Sequence, residues 1–140
     1  MFTVENLIER LKTKYNGAIP FKQICADEGI ICTKAPLEEG MNGFYISVNK
    51  HKIIILNETL SYWERRDWAF HELWHYFCSP SAETASYHTN NKEEHKANVF
   101  AALCRIPKVR IDDTVETVCE RYNVSPILAR LRIEYEMKKY

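Results

Sequence analysis

Residues 61–77 read SYWERRDWAFHELWHYF, and this stretch decides the fold of the chain. Ser61 and Glu64 have the spacing of a capping box, in which each side chain accepts a hydrogen bond from the other residue's backbone N–H. Ser79 and Pro80 then predict the end of the helix. The helix should be buried because large apolar side chains surround most of it. These are Trp63, Trp68, Phe70, Leu73, Trp74 and Phe77.

Within this helix, His71-Glu72-Leu73-Trp74-His75 follows the pattern His-Glu-x-x-His. Positions i and i+4 share one face of a helix, so both imidazoles can bind a single ion. Glu72 lies on the adjacent flank, where a carboxylate can take a proton from an attacking water. Ordinary hydrogen bonds could also satisfy two buried histidines. The complete motif favours metal ligands over that alternative.

A zinc hydrolase site usually has three protein ligands, so we expect the third to come from a later helix. Residues 91–104 predict such a helix, with a stripe of mostly small residues at helical spacing. The stripe consists of Ala97, Phe100, Ala101 and Cys104. Glu94 lies one turn before it and is the predicted third ligand. Asn98, one turn after Glu94, is positioned to orient the carboxylate.

Two neighbours of Glu94 remain alternative ligands. His95 is one, although helical geometry turns it about 100° away from Glu94 and off the packed stripe. Glu93 is the other. Glu94 could also belong to an N-terminal cap with Asn91, as Glu93 could with Asn90.

The remainder of the chain alternates predicted helices and short strands, which indicates an α+β fold. We predict helices over residues 4–15 and 21–28 and a short strand over 30–33. Two further strands, 44–48 and 52–56, form a hairpin around 49–51. The exposed edge of this hairpin sheet could bind an extended peptide by strand addition, although most of the side chains in these two strands are typical of core.

Composition indicates one folded domain without a polyanionic partner. Of 140 residues, 46% are hydrophobic and 27% charged, and nineteen basic residues balance nineteen acidic ones. The longest apolar run, residues 53–56, is too short to cross a bilayer, and no signal-peptide pattern is present. The five cysteines form no CxxC pair and are typical of free thiols. We therefore expect a cytoplasmic protein.

The chain resembles the ImmA/IrrE family of metallopeptidases. The resemblance rests on residues 71–75, on the pattern Glu94-x-x-Ala97-Asn98-x-Phe100-Ala101-Ala102 with Pro107, and on the strand Ile53-Ile54-Ile55-Leu56-Asn57. It covers about residues 20 to 110. It implies a compact zincin-like fold, in which a small antiparallel sheet of about three strands packs against the active-site helix.

The resemblance also implies a site and a function. Zinc would be held by His71, His75 and Glu94, with Glu72 as the general base, and these ligand types favour zinc over manganese. Such proteins are typically encoded on phages and mobile elements, and they cut or help to remove a repressor-like transcriptional regulator. Trp74 stands where the family commonly has glycine, so its indole either fills part of the substrate cleft or packs into the core.

Residues 111–140 predict a helical tail packed on the metallopeptidase domain of residues 1–110. Ser125 is a predicted N-cap, followed by a proline at the first helical position. The pattern resembles a helix-turn-helix, in which Arg130 and Arg132 could contact phosphates. A helical hairpin that covers the domain is the alternative. Because the tail has no basic excess, we do not expect it to bind DNA.

Three functions remain open. The first is a zinc endopeptidase acting on a repressor-like regulator. The second is a metal-binding, weakly catalytic anti-repressor that binds its partner without cleavage, and the third is a DNA-associating module built on the tail. For the peptidase, Tyr87, His88 and His95 are candidates for a donor to the oxyanion of the transition state.

Overall fold

The computed structural model describes residues 2–138, apart from the side chains of Ser86 and Tyr87. The described part contains a three-stranded sheet and six α-helices, an α+β arrangement that confirms the predicted class. In chain order the elements are α1 (Val4–Lys14), α2 (Phe21–Glu28), β1 (Ile30–Ala35), β2 (Gly43–Val48), β3 (His51–Asn57), α3 (Tyr62–Cys78), a 3-10 turn (Ser86–Thr89), α4 (Asn91–Arg105), α5 (Val115–Tyr122) and α6 (Pro126–Met137). None of these helices is both long and apolar enough to cross a membrane.

The sheet has the strand order β1-β3-β2 and is mixed. Strands β2 and β3 form the predicted antiparallel hairpin, in register from Gly43 opposite Leu56 to Val48 opposite His51. Strand β1 instead pairs with β3 in parallel. The expectation of a wholly antiparallel sheet is therefore wrong for one of the two pairings. The reason is that β1 lies beside β3, the second strand of the hairpin, and not beside β2, which is the next strand in sequence.

The hairpin turn consists of Asn49 and Lys50, both with positive φ values of 50° and 68°. Two successive left-handed residues give the turn that matches the twist of an antiparallel pair. The turn sets the hairpin register, and this register places Gly43 at the end of β2 opposite Leu56.

Helices α3 and α4 pack directly on each other through small residues. Ala97 and Ala101 of the predicted small-residue stripe on α4 are essentially unexposed. Trp74 is 1% exposed, and its ring lies 5.2 Å from that of Phe2 and 5.7 Å from that of Phe100. The indole of Trp74 therefore packs in the core and does not fill the substrate cleft, the other position considered for it.

The tail joins the core through a buried ion pair. Arg105 of α4 donates to Asp67 of α3 at 2.8 Å and to the carbonyl of Asn123 at 2.8 Å. The second oxygen of Asp67 accepts from the backbone N–H of Ser125 at 3.0 Å. Ser125 also caps α6, as predicted, by accepting from the N–H of Leu128. The turn between α5 and α6 is thus hydrogen-bonded to both α3 and α4. The boundary at residue 110 remains a prediction.

Arg132 does not occupy the surface position that phosphate contact requires. It is 5% exposed and donates to the carbonyl of Ile106 at 2.7 Å. Arg130, by contrast, is exposed. The expectation that both arginines could contact phosphates is therefore wrong for Arg132, because this side chain is hydrogen-bonded in the interior at the end of α4.

Candidate metal centre

Helix α3 presents two imidazoles on one buried face. The predicted capping box is present, with the Glu64 N–H donating to Ser61 at 3.2 Å and the Ser61 N–H donating to Glu64 at 3.1 Å. This cap fixes where the helix begins. One turn apart, His71 and His75 are each 2% exposed, with ring centroids separated by 5.1 Å. Two titratable rings at this depth need partners that offset their loss of hydration.

Glu94 of α4 faces both imidazoles. Its carboxylate oxygens lie 2.6 Å from Nε2 of His75 and 3.2 Å from Nε2 of His71. The ligand atoms of the three residues all lie within 4.8 Å of one another. The N-cap of α4 is Asn90, whose side chain accepts from the Glu93 N–H at 3.2 Å, so Glu94 is not used in capping. The structure therefore brings together the three predicted ligands.

The two alternative ligands lie elsewhere. The carboxylate of Glu93 is 3.4 Å from the ammonium of Lys96 and 3.8 Å from the thiol of Cys78. His95 is exposed on the surface of α4.

Asn98 determines which nitrogen of His71 carries a proton. The Nδ1–H group of His71 donates to Oδ1 of Asn98 at 2.8 Å. In a neutral imidazole with its proton on Nδ1, Nε2 carries a lone pair. This lone pair is directed at the Glu94 carboxylate, 3.2 Å away. A lone pair and a carboxylate oxygen repel each other unless a proton or a cation lies between them. The donor set thus fits a divalent cation.

Glu94 is held in its ionised form. Burial alone would raise the pKa of this carboxyl, but the imidazoles of His71, His75 and His88 beside it outweigh burial and keep the pKa well below its usual range. A carboxylate that stays ionised provides the negative charge that a divalent cation requires.

Glu72 lies beside the ligands without being one of them. Its side chain is fully buried, and Oε2 is 3.9 Å from Nε2 of His71. Gly43, the first residue of β2, lies beside it. A Cβ atom on Gly43 would lie 3.6 Å from Cγ of Glu72 and 2.9 Å from the carbonyl oxygen of Ile55. The 3.6 Å contact with Glu72 is ordinary, so glycine is required at this position by the close approach of β2 to the backbone of β3.

His88 is the further residue that the structure adds to this group. It comes from the 3-10 turn, and its two ring nitrogens lie 3.3 Å from Glu94 and 4.0 Å from Glu72. Burial alone would lower the pKa of His88, but the hydrogen bond to Glu94, the charges of Glu72 and Glu94 and a hydrogen bond to the Gly43 backbone raise it overall. Among the three residues considered as oxyanion donors, His88 lies at the site and His95 does not. The side chain of Tyr87 lies outside the described residues.

A His-Glu-x-x-His helix, a glutamate from the next helix and a small mixed sheet define the metallopeptidase class of zincin type. Residues 25–136 match the sequence profile of the peptidase family described as the IrrE N-terminal-like domain. The match covers well over half of the chain, so this protein belongs to that family. It also runs beyond residue 110 and through most of the tail. Among curated proteins, none matches this sequence significantly.

Proposed function

We propose that the chain is a zinc-dependent endopeptidase that cuts a repressor-like regulatory protein and is encoded by a phage or another mobile element. The observation that carries this proposal is the convergence of both α3 imidazoles and the Glu94 carboxylate beside the buried Glu72 side chain. Membership of the family supports the peptidase chemistry. The class of substrate is inferred from the resemblance to ImmA/IrrE proteins.

His71 and His75 would hold the ion through their Nε2 atoms, and Glu94 would hold it through its carboxylate. When bound, zinc supplies a Lewis acid that polarises the scissile carbonyl and lowers the pKa of the attacking water. Asn98 keeps the His71 ring in the tautomer whose Nε2 is available as a ligand.

Glu72 is the proposed general base. It takes the proton of the attacking water and then passes it to the nitrogen of the leaving amine. His88 is the proposed donor to the oxyanion, because it is the candidate that lies beside both Glu72 and Glu94. Its 25% exposed side chain lies where a substrate could reach it from the surface.

The test is co-expression of the chain with repressor-like regulators encoded beside its gene, using wild type and Glu72→Gln. Because Glu72 is not a ligand, this variant should keep its fold and bind one zinc per chain, as measured by mass spectrometry of metal content. It should leave the regulator intact, whereas wild type should give two fragments. Glu94→Gln is the companion variant and should lose metal affinity. Equal loss of the regulator with wild type and Glu72→Gln, or failure to load any metal, contradicts the proposal.

A second candidate is a metal-binding regulator that holds its partner without cutting it. One observation favours it. The outer edge of β2, where the substrate strand is expected to add, is already engaged: the Ser47 N–H donates to the carbonyl of Ala82 at 2.7 Å. The Tyr45 hydroxyl also donates to the carbonyl of Pro80, which anchors the chain that follows α3 to the same strand. A stable complex of wild type with an intact regulator, without fragments, would favour this candidate.

A further inference from the structure

A second concave surface lies away from the metal centre. It is an open groove of about 760 Å³ between α2, β1 and the N-terminal half of α3. Arg66 lines it and precedes His71 by five residues, which places the two side chains about 140° apart around α3. The groove and the metal centre therefore use different faces of the same helix.

The groove is positively charged. Among the residues that the structure describes, no acidic side chain lines it, and four cations do. These are Lys22, Lys34, Arg65 and Arg66. The chain as a whole has nineteen basic and nineteen acidic residues, so this is a local excess. Within residues 2–138, Lys22, Lys34 and Arg66 form no ion pair with a carboxylate. Arg66 donates to the hydroxyl of Tyr62 at 3.4 Å. This hydrogen bond lowers the pKa of the Tyr62 phenol, and the nearby positive charges lower it further.

The floor of the groove is apolar. It is formed by Phe21, Leu56, Ala69 and Phe70. A small inorganic anion would leave these side chains uncovered. The groove therefore fits a ligand that combines negative charges with apolar groups.

One wall of the groove is an edge strand with free main-chain groups. Ala35 directs its carbonyl toward β3, where it accepts from the Glu58 N–H at 3.0 Å. Main-chain groups of successive strand residues point to opposite sides, so those of Cys32 and Lys34 point away from β3. Within the described residues no other strand pairs with that side of β1. Both Cys32 and Lys34 also line the groove.

A peptide satisfies these features better than a nucleotide does. Phosphate groups are commonly bound by the backbone N–H groups of glycine-rich loops. The chain has four glycines, and none of them lines the groove. A free strand edge, in contrast, supplies the alternating donors and acceptors that an extended peptide requires.

We propose that this groove binds an extended acidic segment of a partner protein, which adds to the free edge of β1. Carboxylates of the segment pair with Lys22, Lys34 and Arg66, and its apolar side chains cover Phe21 and Phe70. This site is independent of the metal centre and has no catalytic role. The inference does not depend on cleavage by the protein.

The experiment measures fluorescence anisotropy of a labelled peptide of roughly eight residues, the length of an ordinary strand. The peptide alternates aspartate or glutamate with leucine or phenylalanine, and the protein is the full chain carrying Glu72→Gln, so that the probe is not cut. The double variant Lys34→Glu/Arg66→Glu should weaken binding by about tenfold or more, because each reversal replaces attraction by repulsion. Arg130→Glu is the control, since it reverses an exposed charge that does not line the groove, and it should change affinity by less than about twofold.

A second probe tests strand addition. The same peptide with N-methyl groups on alternate amides keeps its charge but loses donors, so it should bind at least about tenfold more weakly. Equal binding of the methylated peptide, or equal binding by the charge-reversed variant, overturns the proposal. Tighter binding of a single-stranded oligonucleotide than of the peptide also overturns it. Circular dichroism and thermal unfolding of each variant show that a loss of binding is not a loss of fold.

Discussion

Oδ1 of Asn98 lies 2.8 Å from Nδ1 of His71, on the side of the ring opposite Glu94. Asn98 follows Glu94 by one helical turn, so α4 contacts His71 at both ring nitrogens. Helix α4 thus supplies one candidate ligand, Glu94, and also orients the imidazole of a second candidate ligand, His71 of α3. The relative position of α3 and α4 therefore determines the metal centre.

Asn98→Ala should weaken zinc binding by about 10- to 100-fold, the usual cost of removing a group that orients a histidine ligand. The fold should persist because Asn98 is only partly buried. Competition with a chromophoric chelator measures the affinity. Asn98→Asp keeps an acceptor at the same place and should recover most of the loss. An unchanged affinity in Asn98→Ala would contradict the orienting role.

Gly43→Ala should reduce activity while zinc affinity stays near that of wild type. The new methyl group would lie 2.9 Å from the carbonyl oxygen of Ile55, so β2 and β3 must separate at this point, and the strand that lies beside Glu72 shifts with them. We expect a loss of about 1–3 kcal/mol in unfolding free energy from this overpacking. Peptidase assays and a zinc titration on the same preparation separate the two effects. Gly40→Ala is the control, since a Cβ there meets nothing within 4 Å and only backbone strain is added.

Trp74→Gly introduces the residue that is common in the family, yet it should not increase activity. The indole is buried between Phe2 and Phe100, so its removal leaves a cavity in the core. Loss of a buried tryptophan side chain costs about 3–5 kcal/mol. Urea unfolding measures this cost, and Trp74→Phe should recover part of it. Higher turnover in a folded Trp74→Gly protein would show that the indole restricts the cleft after all.

Asp113→Asn should destabilise the tail in a pH-dependent manner. The two hydrogen bonds from Arg121, with those from the Arg110 N–H and Thr117, hold the pKa of Asp113 well below its usual range. A carboxyl with a lowered folded-state pKa contributes stability above its unfolded pKa of about 3.9. This stability disappears as the pH falls through the folded pKa. At pH 7 the free energy of unfolding measured in urea should therefore be higher for wild type than for Asp113→Asn. This difference in unfolding free energy should shrink below about pH 4. A constant difference at every pH would contradict the assignment.

Much of the candidate site could be predicted because its information is local. The spacing of His71, Glu72 and His75 requires only that the segment be helical. Glu94 followed from the periodicity of the alanines on α4, which identifies the face that packs against another helix. Asn98 lies on the same helix, one turn further on, although it contacts His71 rather than the carboxylate that we expected it to orient.

Other features depend on contacts between distant segments. The parallel pairing of β1 with β3 has no sequence signal of its own, because a short strand reads the same in either direction. His88 could not be chosen over Tyr87 or His95, since a 3-10 turn gives no apolar stripe from which a direction could be inferred. Arg132 appeared to be a surface cation, but carbonyl groups at the end of α4 bind it in the interior.

The hydrogen bonds that join Asp67 and Arg105 to Asn123 and Ser125 have a consequence for cooperativity of folding. A chain shortened at residue 110 would leave Asp67 and Arg105 paired with each other but without the backbone groups that complete their hydrogen bonding. Buried charges with incomplete partners are expensive. The helix that carries both histidines and the turn that begins α6 should therefore melt together, in a single transition seen alike by near-UV and far-UV circular dichroism.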